Sequence, residues 1–219
     1  MQKLTLEIKK LKTDIRLLKK QLALSEQERL SYQRVAERDF LTDVYNRHGF
    51  VRETERFLNE MKGERRHPGK RRSEIIKNVS IVFIDVDDLK KVNDVYGHKN
   101  GDLYIQSVAR VLAKTVRAID VVGRWGGDEF AIALVNAGEG EALSVSKKLK
   151  ARINKIKLGK EIKDFTCSAS FGFIAVDDEQ RKRANYDLFD LIEKADKAMY
   201  EAKIKRGKGV IVSFSEIME

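Results

Sequence analysis

Residues 121–135 read VVGRWGGDEFAIALV, and the fold turns on how that stretch is read. Apolar runs flank Gly126-Gly127, which predicts antiparallel strands at 121–125 and 129–135 joined by a tight hairpin whose glycines supply positive φ. The acids Asp128 and Glu129 then sit at the turn. The apolar run 130–135 is six residues long and the longest in the chain, far short of the roughly 20 that a membrane-spanning helix needs.

Outward from the hairpin, strands are expected at 79–86, 167–176 and 210–214. Helical periodicity predicts helices near 45–61, 101–116, 139–157 and 187–204, the last burying Leu188, Leu191, Ile192, Ala195, Met199 and Ala202. Helices alternating with short β-branched runs define an α/β layer arrangement. Ahead of it, Leu4, Ile8, Leu11, Ile15, Leu18 and Leu22 recur at spacings of 4 and 3, the a/d seam of a coiled coil. After Leu22 the same register carries Ser25, Arg29, Tyr32 and Ala36, so the seam weakens. The division expected is a dimer-forming helix at 1–38 and a catalytic domain at 39–219.

The formal charge is +10, of which residues 1–38 supply +5 and residues 62–77 another +5. The remainder is neutral, so the basicity belongs to a helix and a basic insertion, and no nucleic-acid partner is expected. No secretory leader or membrane span is read, which predicts a cytoplasmic protein. Cys167 is the sole cysteine, which excludes an internal disulfide and a Cys-rich zinc site and assigns it to the core. Gly63, Gly69 and Lys70 imitate a P-loop, but Arg71 replaces the hydroxyl residue that would hold magnesium.

Asp85, Asp87 and Asp88 follow the buried run Ile81-Val82-Phe83-Ile84, and charge placed there is costly without a partner. If strands 79–86 and 129–135 are neighbours, these acids meet Asp128 and Glu129 at one sheet edge. Oxygen-only ligands favour magnesium or manganese over zinc. Two such ions about 4 Å apart clamp the attacking and leaving oxygens of a phosphoryl displacement.

Arg124-Trp125-Gly126-Gly127-Asp128-Glu129-Phe130 resembles the signature of the GGDEF family of diguanylate cyclases. The resemblance continues in order and at the right spacings from Asp39 to about Gly209. Asp39-Phe40-Leu41-Thr42-Asp43-Val44-Tyr45-Asn46-Arg47 is similar to the family's opening segment, with Asp43 where glycine is commoner. Asp85 to Asp94, then Tyr96-Gly97-His98 and Gly101-Asp102, is similar to its metal and guanine segment.

The resemblance implies a central, mostly antiparallel sheet flanked by helices, of the nucleotidyl-cyclase or palm type, condensing two GTP into cyclic di-GMP. It assigns the metals, two per site, to Asp85, the Val86 carbonyl and Asp128. Catalysis goes to Asp128, Glu129 and Lys90. Substrate binding goes to Leu89, Asn93, Asp102, Gly126, Gly127, Lys203 and Lys208. A carboxylate at Asp102 accepts from guanine N1–H and N2 but would face adenine's N1 as a second acceptor, so GTP is favoured over ATP. One extra residue precedes Gly207, which leaves Arg206 and Lys208 competing for the second phosphate contact. Arg117-Ala118-Ile119-Asp120 stands where the family's product-inhibition RxxD motif lies. A homodimer is implied, and an upstream sensor domain is compatible with the N-terminal helix. The rival readings are an idle cyclic di-GMP receptor, disfavoured by the intact signature, and a basic coiled-coil adaptor, which leaves the acids unexplained.

Overall fold

The computed structural model describes residues 2–63, 76–159, 162, 165–176 and 186–218. The P-loop-like Gly69 and Lys70, and most of the basic insertion, lie outside them. The chain divides into two compact units, Met1–Arg38 and Asp39–Glu219.

The first unit is one helix, α1 (Gln2–Glu37). Its seam residues Leu11, Ile15, Leu18 and Leu22 are all exposed, each by half or more.

The second unit follows the order α2 (Arg47–Gly63), β1 (Val79–Val86), α3 (Leu89–Tyr96), α4 (His98–Thr115), β2 (Val121–Arg124), β3 (Glu129–Val135), α5 (Glu139–Ile153), β4 (Ala169–Ala175), α6 (Leu188–Tyr200) and β5 (Ile211–Ser213). The sheet runs β2-β3-β1-β4-β5. All neighbours are antiparallel except β4 and β5, which are parallel, so the mostly antiparallel sheet is as expected. The expected helix 101–116 begins one turn earlier, and 139–157 ends at Ile153.

β1 is central, so all eight of its residues are buried and it shows no alternation of polar and apolar residues. Its side chains still divide by parity. Val82, Ile84 and Val86 pack with Tyr104 and Leu112 of α4 and Leu149 of α5, together with Cys167. Ile81 and Phe83 pack on the other face with Phe50 and Phe57 of α2 and Leu191 of α6. Asp85 shares the parity of Ile81 and Phe83, which turns it toward the α6 face of the sheet. At Gly172 of β4 an added Cβ would stand 2.0 Å from the Met199 backbone nitrogen; only glycine lets α6 lie this close to the sheet.

Two local expectations are corrected. The signature loop is four residues long, 125–128, and neither Gly126 nor Gly127 has positive φ. α3 falls in a stretch with no helix expected; it is only eight residues long, and its apolar stripe, Val92 in the core with Leu89 and Tyr96 packed against it, spans barely two turns.

Candidate active site

β1 and β3 pair so that Asp85 lies directly opposite Glu129, and residues directly opposite in an antiparallel pair point to the same face. The Val86 amide donates to the Asp128 carbonyl at 3.0 Å, which holds the signature loop against the end of β1. Like charges set opposite each other are unfavourable. Burial, opposed by the Lys203 hydrogen bond and reinforced by the charges of Asp128 and Asp87, raises the Asp85 carboxyl above its ordinary value. Burial likewise raises Glu129, followed by the charges of Asp85, Asp196 and Asp128. Lys203 Nζ donates to Asp85 Oδ1 at 2.6 Å.

Carboxylates whose charge is penalised in this way fit a cation, and their oxygen chemistry fits magnesium or manganese. No cluster of three or more acids or histidines disposed to hold a metal occurs among the described residues. The expected set of two carboxylates and one carbonyl, Asp85, Asp128 and Val86, does not require one.

The acid series after β1 does not act together. Asp87 turns inward, fully buried, and accepts from Ser168 Oγ at 2.7 Å and Ser170 Oγ at 2.9 Å. It anchors the loop before β4 to the end of β1. Asp88 is the N-cap residue of α3 at φ 59°, makes no side-chain cap bond, and accepts instead from Lys208 Nζ at 2.7 Å.

Val86, Leu89, Lys90, Asp128, Lys203 and Lys208 are among the residues lining an open cleft of about 510 Å³. Lys208 reaches it because α6 continues as a π-helical turn, Glu201–Lys205. A π-turn absorbs one extra residue within a helix, which is the insertion visible before Gly207. Arg206 is turned away and pairs with Glu216 at 2.7 Å. Gly126 and Gly127 border the acids: a Cβ on Gly126 would stand 3.0 Å from Glu129 Oε2, whereas one on Gly127 would meet nothing within 4 Å.

Asn93 on α3 lies against Gly101 of α4, the residue before Asp102. A Cβ on Gly101 would fall 1.8 Å from Asn93 Oδ1, so glycine is what leaves room for the Asn93 amide. Asp102 is exposed and lies inside α4, not at its N-cap.

Arg117 and Asp120 form an ion pair at 3.0 Å, and the Asp120 carboxylate also accepts from the Val135 amide at 3.0 Å. The pair sits at the Val135 end of β3, away from the acids by the length of the strand, about 20 Å at the usual rise per residue. An open cavity of about 320 Å³ adjoins it, lined by Tyr45, Glu53, Arg56, Phe57, Ile119 and Asp120.

Three residues carry geometry that no sequence signal assigned to them. Asp196 of α6 is half-buried and its charge acts on Glu129. Arg124 and Asp39 pair at 3.2 Å across the domain; both lie in family-like segments, yet nothing in the sequence connects them.

Fold and site together define an α/β domain with a mostly antiparallel sheet that sets carboxylates and lysines around a cleft. A family model for the diguanylate cyclase GGDEF domain matches residues 36–208, and the chain belongs to that family. It is 37% identical over 131 residues to diguanylate cyclase DosC of Escherichia coli K12, covering 59% of this chain and 27% of that protein. It is 30% identical over 182 residues to diguanylate cyclase DgcM of the same organism, covering 82% of this chain and 40% of that protein. The chain therefore spans less than half the length of these curated relatives. The solved coiled coil and GGDEF domain of DgcB from Caulobacter crescentus, in complex with c-di-GMP, superposes with a TM-score of 0.70 at 23% identity, covering 90% of this chain and 98% of that one. That likeness establishes the fold.

Proposed function

We propose that this chain is a diguanylate cyclase that condenses two GTP into cyclic di-GMP and releases two pyrophosphates. The observation that carries the reading is the register of Asp85 against Glu129, beside a cleft edged by Lys90, Lys203 and Lys208. Asn93 and Asp102 read guanine, the carboxylate accepting from N1–H and N2. The three lysines hold the triphosphate as point charges. Asp85, the Val86 carbonyl and Asp128 hold magnesium or manganese, two ions per site. Metal bound there neutralises the charge that develops on the α-phosphate and the leaving pyrophosphate. Glu129, opposite Asp85, assists in holding metal or in activating the attacking 3′-hydroxyl. The bare edge at Gly127 leaves room for the nucleotide.

Each domain presents one GTP, so two copies must face each other about a two-fold axis. The exposed seam of α1 supports a parallel coiled coil that joins them. Cyclic di-GMP slows the enzyme at Arg117 and Asp120, remote from the acids. The substrate places the protein in the cytoplasm, and no helix among the described residues is long and apolar enough to cross a membrane. An upstream sensor acting through α1 is compatible with this design.

The test is incubation of the pure protein with GTP and magnesium, with ATP and an Asp128→Ala protein in parallel and products separated by chromatography. Cyclic di-GMP and pyrophosphate form from GTP alone and not with the variant. Absence of product at every protein concentration, after removal of carried-over cyclic di-GMP, rejects the reading in favour of a receptor.

A further inference from the structure

We propose that Arg124 is the positioning residue of the signature acid: its guanidinium ties Asp39 to the Gly127 carbonyl and so fixes how Asp128 is presented. The inference rests on the reading of Asp128 as a metal-holding residue.

The signature loop needs such a tether. Its neck is closed by the amides of Trp125 and Gly126, which donate to the Glu129 carbonyl at 2.8 and 3.4 Å. Its far end is held by the bond from Val86 to the Asp128 carbonyl. Between them stand two glycines, the residues with the most backbone freedom to lose. The Gly127 carbonyl accepts from Arg124 Nη2 at 2.8 Å and Nε at 3.2 Å. That carbonyl and the Asp128 amide share one planar peptide unit. Fixing the oxygen fixes the plane from which Asp128 departs.

The other arm of the fork is anchored. Arg124 Nη1 donates to both carboxylate oxygens of Asp39, at 3.2 and 3.3 Å. Only about a sixth of either side chain is exposed, so salt screens the pair less than a surface one. Asp39 is itself locked, since the Thr42 amide and hydroxyl donate to its Oδ1 at 3.0 and 2.6 Å. Its carbonyl accepts from the Asp43 amide, and Asp43 turns the chain at φ 58°. A planar fork with several fixed donors bridges two acceptors at once, which a lysine ammonium on a flexible stem does not reproduce.

The experiment is Mn2+ binding to the full chain, read from the EPR signal of free Mn2+, for wild type, Arg124→Lys, Asp39→Asn and the double variant. Thermal unfolding certifies that each is folded. Arg124→Lys keeps the positive charge, so it removes the geometry alone. Each single variant weakens Mn2+ binding about tenfold, the usual effect of losing a partner that orients a metal ligand. The double is no weaker than the worse single, because both break one tether. In turnover with GTP, kcat falls while KM holds, since the guanine contacts are untouched. Unchanged Mn2+ affinity in Arg124→Lys overturns the proposal, as do losses that multiply in the double. If Arg124→Lys does not fold, Asp39→Asn decides by the same criterion. A wild type that takes up no Mn2+ sinks the cyclase reading itself; a wild type that binds Mn2+ while the variants match it sinks this proposal alone.

Discussion

Lys203 Nζ lies 2.6 Å from Asp85 Oδ1, so the acidic corner of the sheet carries an ammonium of its own. The same lysine lines the cleft assigned to the triphosphate. It balances Asp85 in the metal-free protein, and on the proposed reading metal and nucleotide take its place as partners of both groups.

Lys203→Met leaves a nearly buried carboxylate unpaired and is expected to destabilise the metal-free protein by about 1–3 kcal/mol. Magnesium then stabilises the variant more than it stabilises wild type, because metal replaces the missing ammonium without competition. Thermal unfolding with and without magnesium checks this. An equal gain in both proteins shows that Lys203 and the metal do not share Asp85.

Lys208→Ala is expected to raise KM for GTP about tenfold, the loss of one charge-assisted contact to phosphate. Arg206→Ala leaves KM unchanged and shifts stability by less than about 1 kcal/mol, since its bond to Glu216 is a surface pair. Steady-state kinetics on the two variants separates them. The reverse outcome would mean that the π-turn unwinds when nucleotide binds.

That assignment marks the limit of what could be read from residues alone. The extra residue before Gly207 was visible as a spacing, but its absorption by a π-turn at Glu201–Lys205 has no signature in the residues themselves. Buried runs such as Ile81 to Ile84 and the stripe of α6 were legible, because core-facing periodicity is written locally. α3 was not, because two turns are too short for the stripe of Leu89, Val92 and Tyr96 to stand out as a period. Asp85, Asp87 and Asp88 look alike in sequence. Ser168 and Ser170 draw one inward, while Lys208 holds another at the rim. The bond from Arg124 to Asp39 joins residues 85 positions apart, which no local pattern predicts.

Gly101→Ala is expected to preserve the fold of α4, where alanine is the better helix former, and to displace Asn93, whose Oδ1 occupies the place of the new methyl. The cost falls on guanine recognition. KM for GTP rises about tenfold, the scale of one lost hydrogen bond to the base, and discrimination against ATP narrows with kcat little changed. Competition by GTP and ATP analogues for binding measures it directly. Full discrimination in this variant would show that Asp102 reads the base without Asn93.

Glu129 gives a pH signature in metal-free protein. Its folded carboxyl is raised, first by burial and then by Asp85 and Asp196. A raised carboxyl holds its proton longer in the folded state, so that contribution to stability is present at low pH and lost as pH rises through the folded value. Glu129→Gln removes the penalty. The variant is therefore more stable than wild type at neutral pH, by up to about 1 kcal/mol given partial solvent screening. The advantage fades below the ordinary value of 4.5. Unfolding midpoints of both proteins across pH, with chelator present, test the sign. An advantage that grows on acidification contradicts it.

On the proposed reading, the exposed seam of α1 ties activity to protein concentration. Leu11, Ile15, Leu18 and Leu22 are uncovered in a single chain, and burying such a seam against a second copy is what stabilises a coiled coil. Joining two catalytic domains in this way raises the local concentration of the second site without adding any contact to it. A protein lacking residues 1–38 is expected to lose specific activity on dilution into the nanomolar range, by about tenfold or more, and to regain it at high concentration. Ile15→Lys within the full chain places a charge in the middle of the seam and should reproduce the loss. Activity per chain that stays constant on dilution in both variants would mean that the catalytic domains find each other unaided.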